Sequence, residues 1–172
     1  LALMEEANST SADGGVVSAF LDVMRKLAAR MSNVDSNTLP FIILVSGYGK
    51  VNIARAIQYV DTKYCIDKLV VTGNTGSLDE TIAPIGTVGI STAGLQYDVD
   101  FVALGAEPYA LLNQDVNTYD ADDNLITKAR GAAIVADETV NTGLFATADQ
   151  FLANTAEATA LQTDTTALFV DT

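Results

Sequence analysis

The hydrophobic pattern of the chain switches between short solid runs and helical stripes. FIILV (41–45) is apolar throughout, as expected of a strand buried on both faces. SGYGK (46–50) interrupts it. In VNIARAIQYV (51–60), Ile53, Ile57 and Val60 then return at helical spacing. CIDKLVVTG (65–73) is a second apolar run. Residues 41–71 therefore predict strand, glycine turn, helix and strand. That βαβ unit requires a right-handed crossover and a sheet with helices on its faces.

The same reading extends in both directions. GGVVSAFLDVMRKLAARM (14–31) carries Val17, Phe20, Leu21, Met24, Leu27, Ala28 and Met31 on one stripe, so it predicts an amphipathic helix that Asp13 can cap. IGTVGIST (85–92) and VDFVAL (99–104) predict strands. DADDNLITKARGAA (120–133) opens on acids and places Lys128 and Arg130 toward its end, the charge order that suits a helix dipole. ETVNTGLFAT (138–147) has strand character, 155–161 predicts a small-residue helix, and TALFVDT (166–172) a last strand. No repeat period and no linker divide the chain. The expected fold class is α/β: a three-layer α/β/α domain with a twisted, mostly parallel mixed sheet.

Composition narrows the function classes. A chain of 172 residues is most simply one domain and buries roughly 70% of its unfolded surface. Apolar residues make up 49% and charged residues 18%, which argues against disorder. No stretch approaches the ~18 consecutive apolar residues of a membrane span. The net charge of −13 repels phosphate backbones, so nucleic acid is a poor partner. The chain contains no histidine, which excludes a Ser-His-Asp triad and a His-based zinc site. Its one cysteine, Cys65, rules out an internal disulfide and reads as a small apolar filler in a cytoplasmic protein.

In open α/β sheets, ligands sit beyond the carboxyl ends of strands. SGYGK, TGNTGS (72–77) and TADQF (147–151) all fall at predicted strand ends. Ser46-Gly47-Tyr48-Gly49 leads into a helix N-terminus whose open N–H groups suit an anion or a sugar hydroxyl, or it is simply a tight turn. It has neither the phosphate-loop spacing GxxxxGK[ST] nor the dinucleotide spacing GxGxxG. Gly73-Asn74-Thr75-Gly76 brings backbone amides and two short polar side chains to a strand end, where a ribose or base edge can approach; an ordinary turn is the alternative. Asp149-Gln150-Phe151 sets a carboxylate beside an aromatic on which a planar base can stack, unless Phe151 packs in the core. Asp98 and Asp100 read as a solvated edge before a metal pair. Met4-Glu5-Glu6 reaches the same rim if LAL (1–3) ends a first strand.

The order of these pieces resembles the purine and uridine phosphorylase superfamily, most closely its methylthioadenosine/S-adenosylhomocysteine nucleosidases. The residues that carry the resemblance are LMEEA near the start, LVSGYGKVNIA, VVTGNTGSLDETIAPIGTVGIST, YDVDFVALGAEP, GLFATADQFL and TALFVDT. They cover most of 46–172 in order. The resemblance implies a single nucleoside phosphorylase-like domain over 1–172, lacking its C-terminal helical part and its first residues. It implies cleavage of the N-glycosidic bond of a purine nucleoside, plausibly methylthioadenosine or S-adenosylhomocysteine, with release of adenine. The transition state is an oxocarbenium-like ribose, with one carboxylate activating water and a carboxylic acid protonating the base.

Carried over by match, Met4 touches the ribose and Tyr48 lines the sugar or 5′-substituent pocket. Asn74 stands for a ribose-region Ser, flanked by Thr75 and Gly76. Phe151 stacks on the purine, and Leu152 offers it backbone hydrogen bonds. Asp171 and Thr172 align with the start of the family's Glu-Met-Glu segment. The sequence departs from the family at Ala7, which holds the position of the water-activating acid, so Glu6 is the nearest replacement. The family's ribose-gripping Glu and leaving-group Asp both fall after Thr172. Val71 stands where phosphorylases carry a phosphate-binding Arg. The expectations rank as nucleosidase, then phosphate-dependent phosphorylase, then a non-catalytic nucleoside-binding protein. No metal or organic cofactor is implied, and VDFVALGAEP, near the family's subunit contact, implies a homodimer or larger homo-oligomer.

Overall fold

The structure is a computed structural model that describes residues 42–64 and 66–171. The chain divides into two compact units. One includes residues 42–47 and 52–64; the other comprises Tyr48–Val51 with Ile66–Thr172.

In the smaller unit the main element is helix α1 (Lys50–Tyr64), whose first two residues belong to the larger unit. It forms because good helix formers and the Ile53, Ile57, Val60 stripe follow two glycines, Gly47 and Gly49, with φ of 83° and 88°. Val60 is buried. Lys63 in the last turn complements the helix dipole and lies over the Tyr59 and Tyr64 rings at 5.5 and 5.0 Å.

The larger unit holds a five-stranded mixed sheet. Its strands are β1 (Gly76–Ser77), β2 (Val88–Gln96), β3 (Thr118–Asp120), β4 (Val140–Thr147) and β5 (Phe169–Asp171), in the order β1-β5-β4-β2-β3. The central pairings, β2 with β4 and β4 with β5, are parallel; the edge strands β1 and β3 pair antiparallel. Helix α2 (Asp123–Val135) packs on β2 and β4, and helix α3 (Thr155–Thr165) connects β4 to β5. The α/β class and mixed sheet agree with the sequence pattern.

Both helices start on side-chain caps. Asp122 accepts the Leu125 N–H at 2.8 Å, and Asn154 accepts the Ala156 N–H at 2.9 Å. Helix α3 ends at Thr166 in the left-handed region (φ 60°), which turns the chain into β5. Leu95, Ala146, Leu161 and Ala167 form the core between sheet and α3. The Phe145 and Phe169 rings lie 4.7 Å apart beside Gly89, where an added Cβ would meet them at 2.9–3.0 Å.

Several predicted elements are corrected. Residues 42–45 and 66–75 carry no strand, and their apolar side chains are largely exposed, Val70 at 68%. An apolar run becomes a strand only when a neighbour supplies the ladder, and none of the five described strands pairs with these runs. The parallel crossovers seen are instead β2 to β4 by way of β3 and α2, and β4-α3-β5. The strand expected at 99–104 is a short 3-10 turn (Val102–Leu104). There the Asp100 carboxylate takes the Val102 N–H at 3.1 Å, and Gly105 closes the turn at φ 88°. The strand expected from 85 starts at Val88, after a turn at Gly86, and runs on to Gln96. Helix α2 runs past 133 to Val135, so Lys128 and Arg130 sit mid-helix and its last turn holds no basic residue. The helix expected over 14–31 lies outside the described residues.

Candidate functional site

Strands β2, β4 and β5 run in the same direction, so the residues that follow them share one edge of the sheet. Gln96 is paired with Thr147 and Thr147 with Asp171, which sets the three ends level. Beyond them come Tyr97 and Asp98 after β2, and Ala148 to Leu152 after β4. Strand β1 runs the opposite way, so its entry lies at this edge too: Gly76 pairs with Val170, and the Thr75 hydroxyl donates to the Val170 carbonyl at 2.7 Å.

A ring of hydrogen bonds joins three distant stretches here. The Lys50 backbone N–H donates to Asp149 Oδ1 at 2.7 Å. The Lys50 ammonium donates to Asp98 Oδ1 at 2.5 Å and to Gln96 Oε1 at 3.3 Å. The Asp149 N–H donates to Asp98 Oδ2 at 3.0 Å. Burial pushes the Asp98 carboxyl up, but the Lys50 ammonium and the Asp149 N–H outweigh it and hold the group below the usual carboxylate range. Gly49 makes the approach possible: with φ 88°, it lies where an added Cβ would come within 3.2 Å of Asp149 Oδ1.

An open cleft of about 400 Å³ lies along α3, from Glu157 to Asp164. Tyr97, Tyr109, Gln150, Leu152, Glu157 and Asp164 line it. Burial raises the Tyr97 phenol above its ordinary pKa, and nearby Asp98 and Glu157 add to the rise. The Tyr109 hydroxyl donates to Asp164, which with burial raises that phenol as well.

The structure brings Thr75, Gly76, Phe151, Leu152 and Asp171 to the same sheet edge. Phe151 is 83% exposed, which overturns the core-packing alternative for it. Tyr48 is exposed on the Gly47–Gly49 turn, two residues before the Lys50 ring member. Asn74 is exposed just before β1. Leu152 is half-buried and lines the cleft; among the described residues, the other predicted site residues do not. Asp149, expected to face a base edge, spends Oδ1 on Lys50. Asp98 and Asp100 are engaged with Lys50 and Val102 respectively, and no group of potential metal ligands occurs among the described residues. Met4, Glu6, Ala7 and Thr172 lie outside the described residues. The sequence reading missed Lys50; its signal was the lysine directly after a Gly-x-Gly turn, too common to single out.

A family model described as Phosphorylase superfamily matches residues 11–171. The chain belongs to this superfamily. A 5'-methylthioadenosine/S-adenosylhomocysteine nucleosidase of Staphylococcus carnosus is 30% identical over 123 residues, covering 72% of this chain and 53% of the relative. A Geobacillus nucleosidase of the same name is 35% identical over 117 residues, 67% of this chain and 50% of the relative. Among solved structures, the Neisseria meningitidis nucleosidase in complex with methylthio-immucillin-A superposes with a TM-score of 0.69 at 26% identity, covering 74% of this chain and 55% of that one. The chain spans about half the length of the curated relatives it matches. These matches agree with the resemblance read from the strand-end loops. Among the described residues, no helix is long and apolar enough to cross a membrane.

Proposed function

We propose that the protein is a nucleosidase that hydrolyses the N-glycosidic bond of a purine nucleoside, methylthioadenosine or S-adenosylhomocysteine, and releases adenine. The observation that carries this reading is the exposed Phe151 beside Leu152 at the sheet edge, supported by the match to superfamily relatives named as nucleosidases. Phe151 stacks on the purine, and the Leu152 backbone bonds its edge. Tyr48 faces the sugar or its 5′-substituent. Asn74, Thr75 and Gly76 present short polar groups and backbone to the ribose, with Met4, Asp171 and Thr172 on the same sugar. Water attacks an oxocarbenium-like ribose, and Glu6 activates it in place of Ala7. We place the protein in the cytoplasm as a homodimer or larger homo-oligomer, as a single nucleoside phosphorylase-like domain.

Val71 favours water over phosphate as the nucleophile, because a phosphate dianion without a paired cation is poorly held. Ala7 favours a second reading, a nucleoside-binding protein without turnover. Base release from methylthioadenosine, S-adenosylhomocysteine, adenosine, inosine and uridine, with and without phosphate, separates them. The experiment uses protein made from the complete reading frame. Adenine release without phosphate is expected. Release only with phosphate makes it a phosphorylase, and tight binding without release makes it a binding protein.

A further inference from the structure

We propose that Asp98 is a positioning residue for the base platform: through Lys50 and Asp149 it fixes the backbone on which Phe151 and Leu152 stand. The proposal rests on the reading of Phe151 as the surface that takes the base. Asp149 is held at both ends, its N–H by Asp98 Oδ2 and its carboxylate by the Lys50 N–H. Asp98 uses both oxygens, one for the Lys50 ammonium and one for Asp149. Before this point the chain is anchored by the Ala148 N–H on the Asp171 carbonyl at 3.3 Å. The next backbone anchor is the Asn154 cap of α3. Between the ring and that cap, the Leu152 side chain packs against the core while Phe151 stays exposed.

The ring stands apart from the core. Leu95, Ala146, Leu161 and Ala167 supply the core, while the Lys50 and Asp98 side chains are each 25% exposed. Removing the Asp98 carboxylate leaves the sheet intact but frees the Asp149 N–H and the Lys50 ammonium together. A bond to a charged group that is partly shielded from water is stronger than a neutral exposed one. The effect of its loss falls on the direction of the peptide units at 149–152, which decide whether a ring plane and a backbone edge meet the same purine.

The test measures adenine affinity of the full-reading-frame protein by calorimetry, and exchange of the 149–152 amides by NMR, in wild type, Asp98→Ala, Asp98→Asn and Phe151→Ala. Asp98→Ala is expected to weaken adenine binding about tenfold or more, the loss typical of a bond to a charged group, and to speed exchange at Asp149. Asp98→Asn keeps an acceptor and is expected to recover binding to within about threefold of wild type, with slow exchange restored at the Asp149 amide. If Asp98→Ala does not fold, Lys50→Gln is read instead: it keeps the main-chain bond to Asp149 and removes only the ammonium. An Asp98→Ala protein that folds and binds adenine as wild type does overturns the proposal while Phe151→Ala still loses binding. A wild type that binds no adenine, or a Phe151→Ala that binds normally, overturns the base platform and the proposal with it.

Discussion

Two phenylalanines divide the larger unit into its two kinds of surface. Phe169 lies in β5, 3% exposed, with its ring 4.7 Å from that of Phe145 and tilted by 34°. Phe151 lies 18 positions earlier in the chain (169 − 151), on the loop after β4, 83% exposed. The first is held by neighbours on all sides and stabilises the fold. The second is held only through its backbone, by a polar ring two residues upstream, and gives the fold almost nothing. On the proposed function, Phe151 is the surface that takes the base, so the contrast sets stability inside the sheet beside proposed recognition at its edge.

The sharpest way to break the contrast is to truncate both rings. Phe169→Ala is expected to cost about 3–5 kcal/mol of stability, the range for a buried aromatic. Phe151→Ala is expected to stay within about 0.5 kcal/mol, as for an exposed position. Urea unfolding of both variants checks this, and equal losses would remove the distinction between the two regions.

A smaller effect tests how tightly the inner region is packed. Gly89→Ala places a methyl against the Phe145 and Phe169 rings at 2.9–3.0 Å, and overpacking of this kind costs about 1–3 kcal/mol. A lowered thermal midpoint is expected. An unchanged midpoint would mean that the two rings move aside freely.

The smallest effect concerns the outer region and its polar ring. Asp98 has a folded pKa below its unfolded value. The stability it contributes is therefore fully present above the unfolded carboxylate pKa of about 3.9 and is lost as the pH falls through the lower folded value. Carbon NMR of the Asp98 carboxyl against pH is expected to give a midpoint below 3.9, with the Asp149 amide shift following the same curve. A midpoint at or above that of a free aspartate would dissolve the ring as an electrostatic device.

Local pattern carried much of the larger unit. GLFAT fell in a strand because its β-branched and aromatic residues suit a buried ladder. The Asp122 and Asn154 caps, which bond to the first free amides of their helices, were not singled out in the sequence pattern. The pattern misled where an apolar run had no partner among the described strands, at 42–45 and around Val70, and where Asp100 offered the backbone a closer bond than a ladder would. It placed Phe151 and Leu152 in the loop beyond β4, because such a loop is readable from the run that precedes it; Thr75 and Gly76 reach the same edge only at the entry of β1, since the strand expected before them is absent.

The sequence alone determined the α/β class, the loop beyond β4 and the family, since each rests on residues close together along the chain. The tertiary structure alone decided that Lys50, Asp98 and Asp149 form one ring. Those residues are 48 and 51 positions apart in turn (98 − 50, 149 − 98), and only the level ends of β2 and β4 bring their charges together. It also decided which phenylalanine is buried, because burial is set by the neighbours that the sheet order supplies and not by the side chain itself.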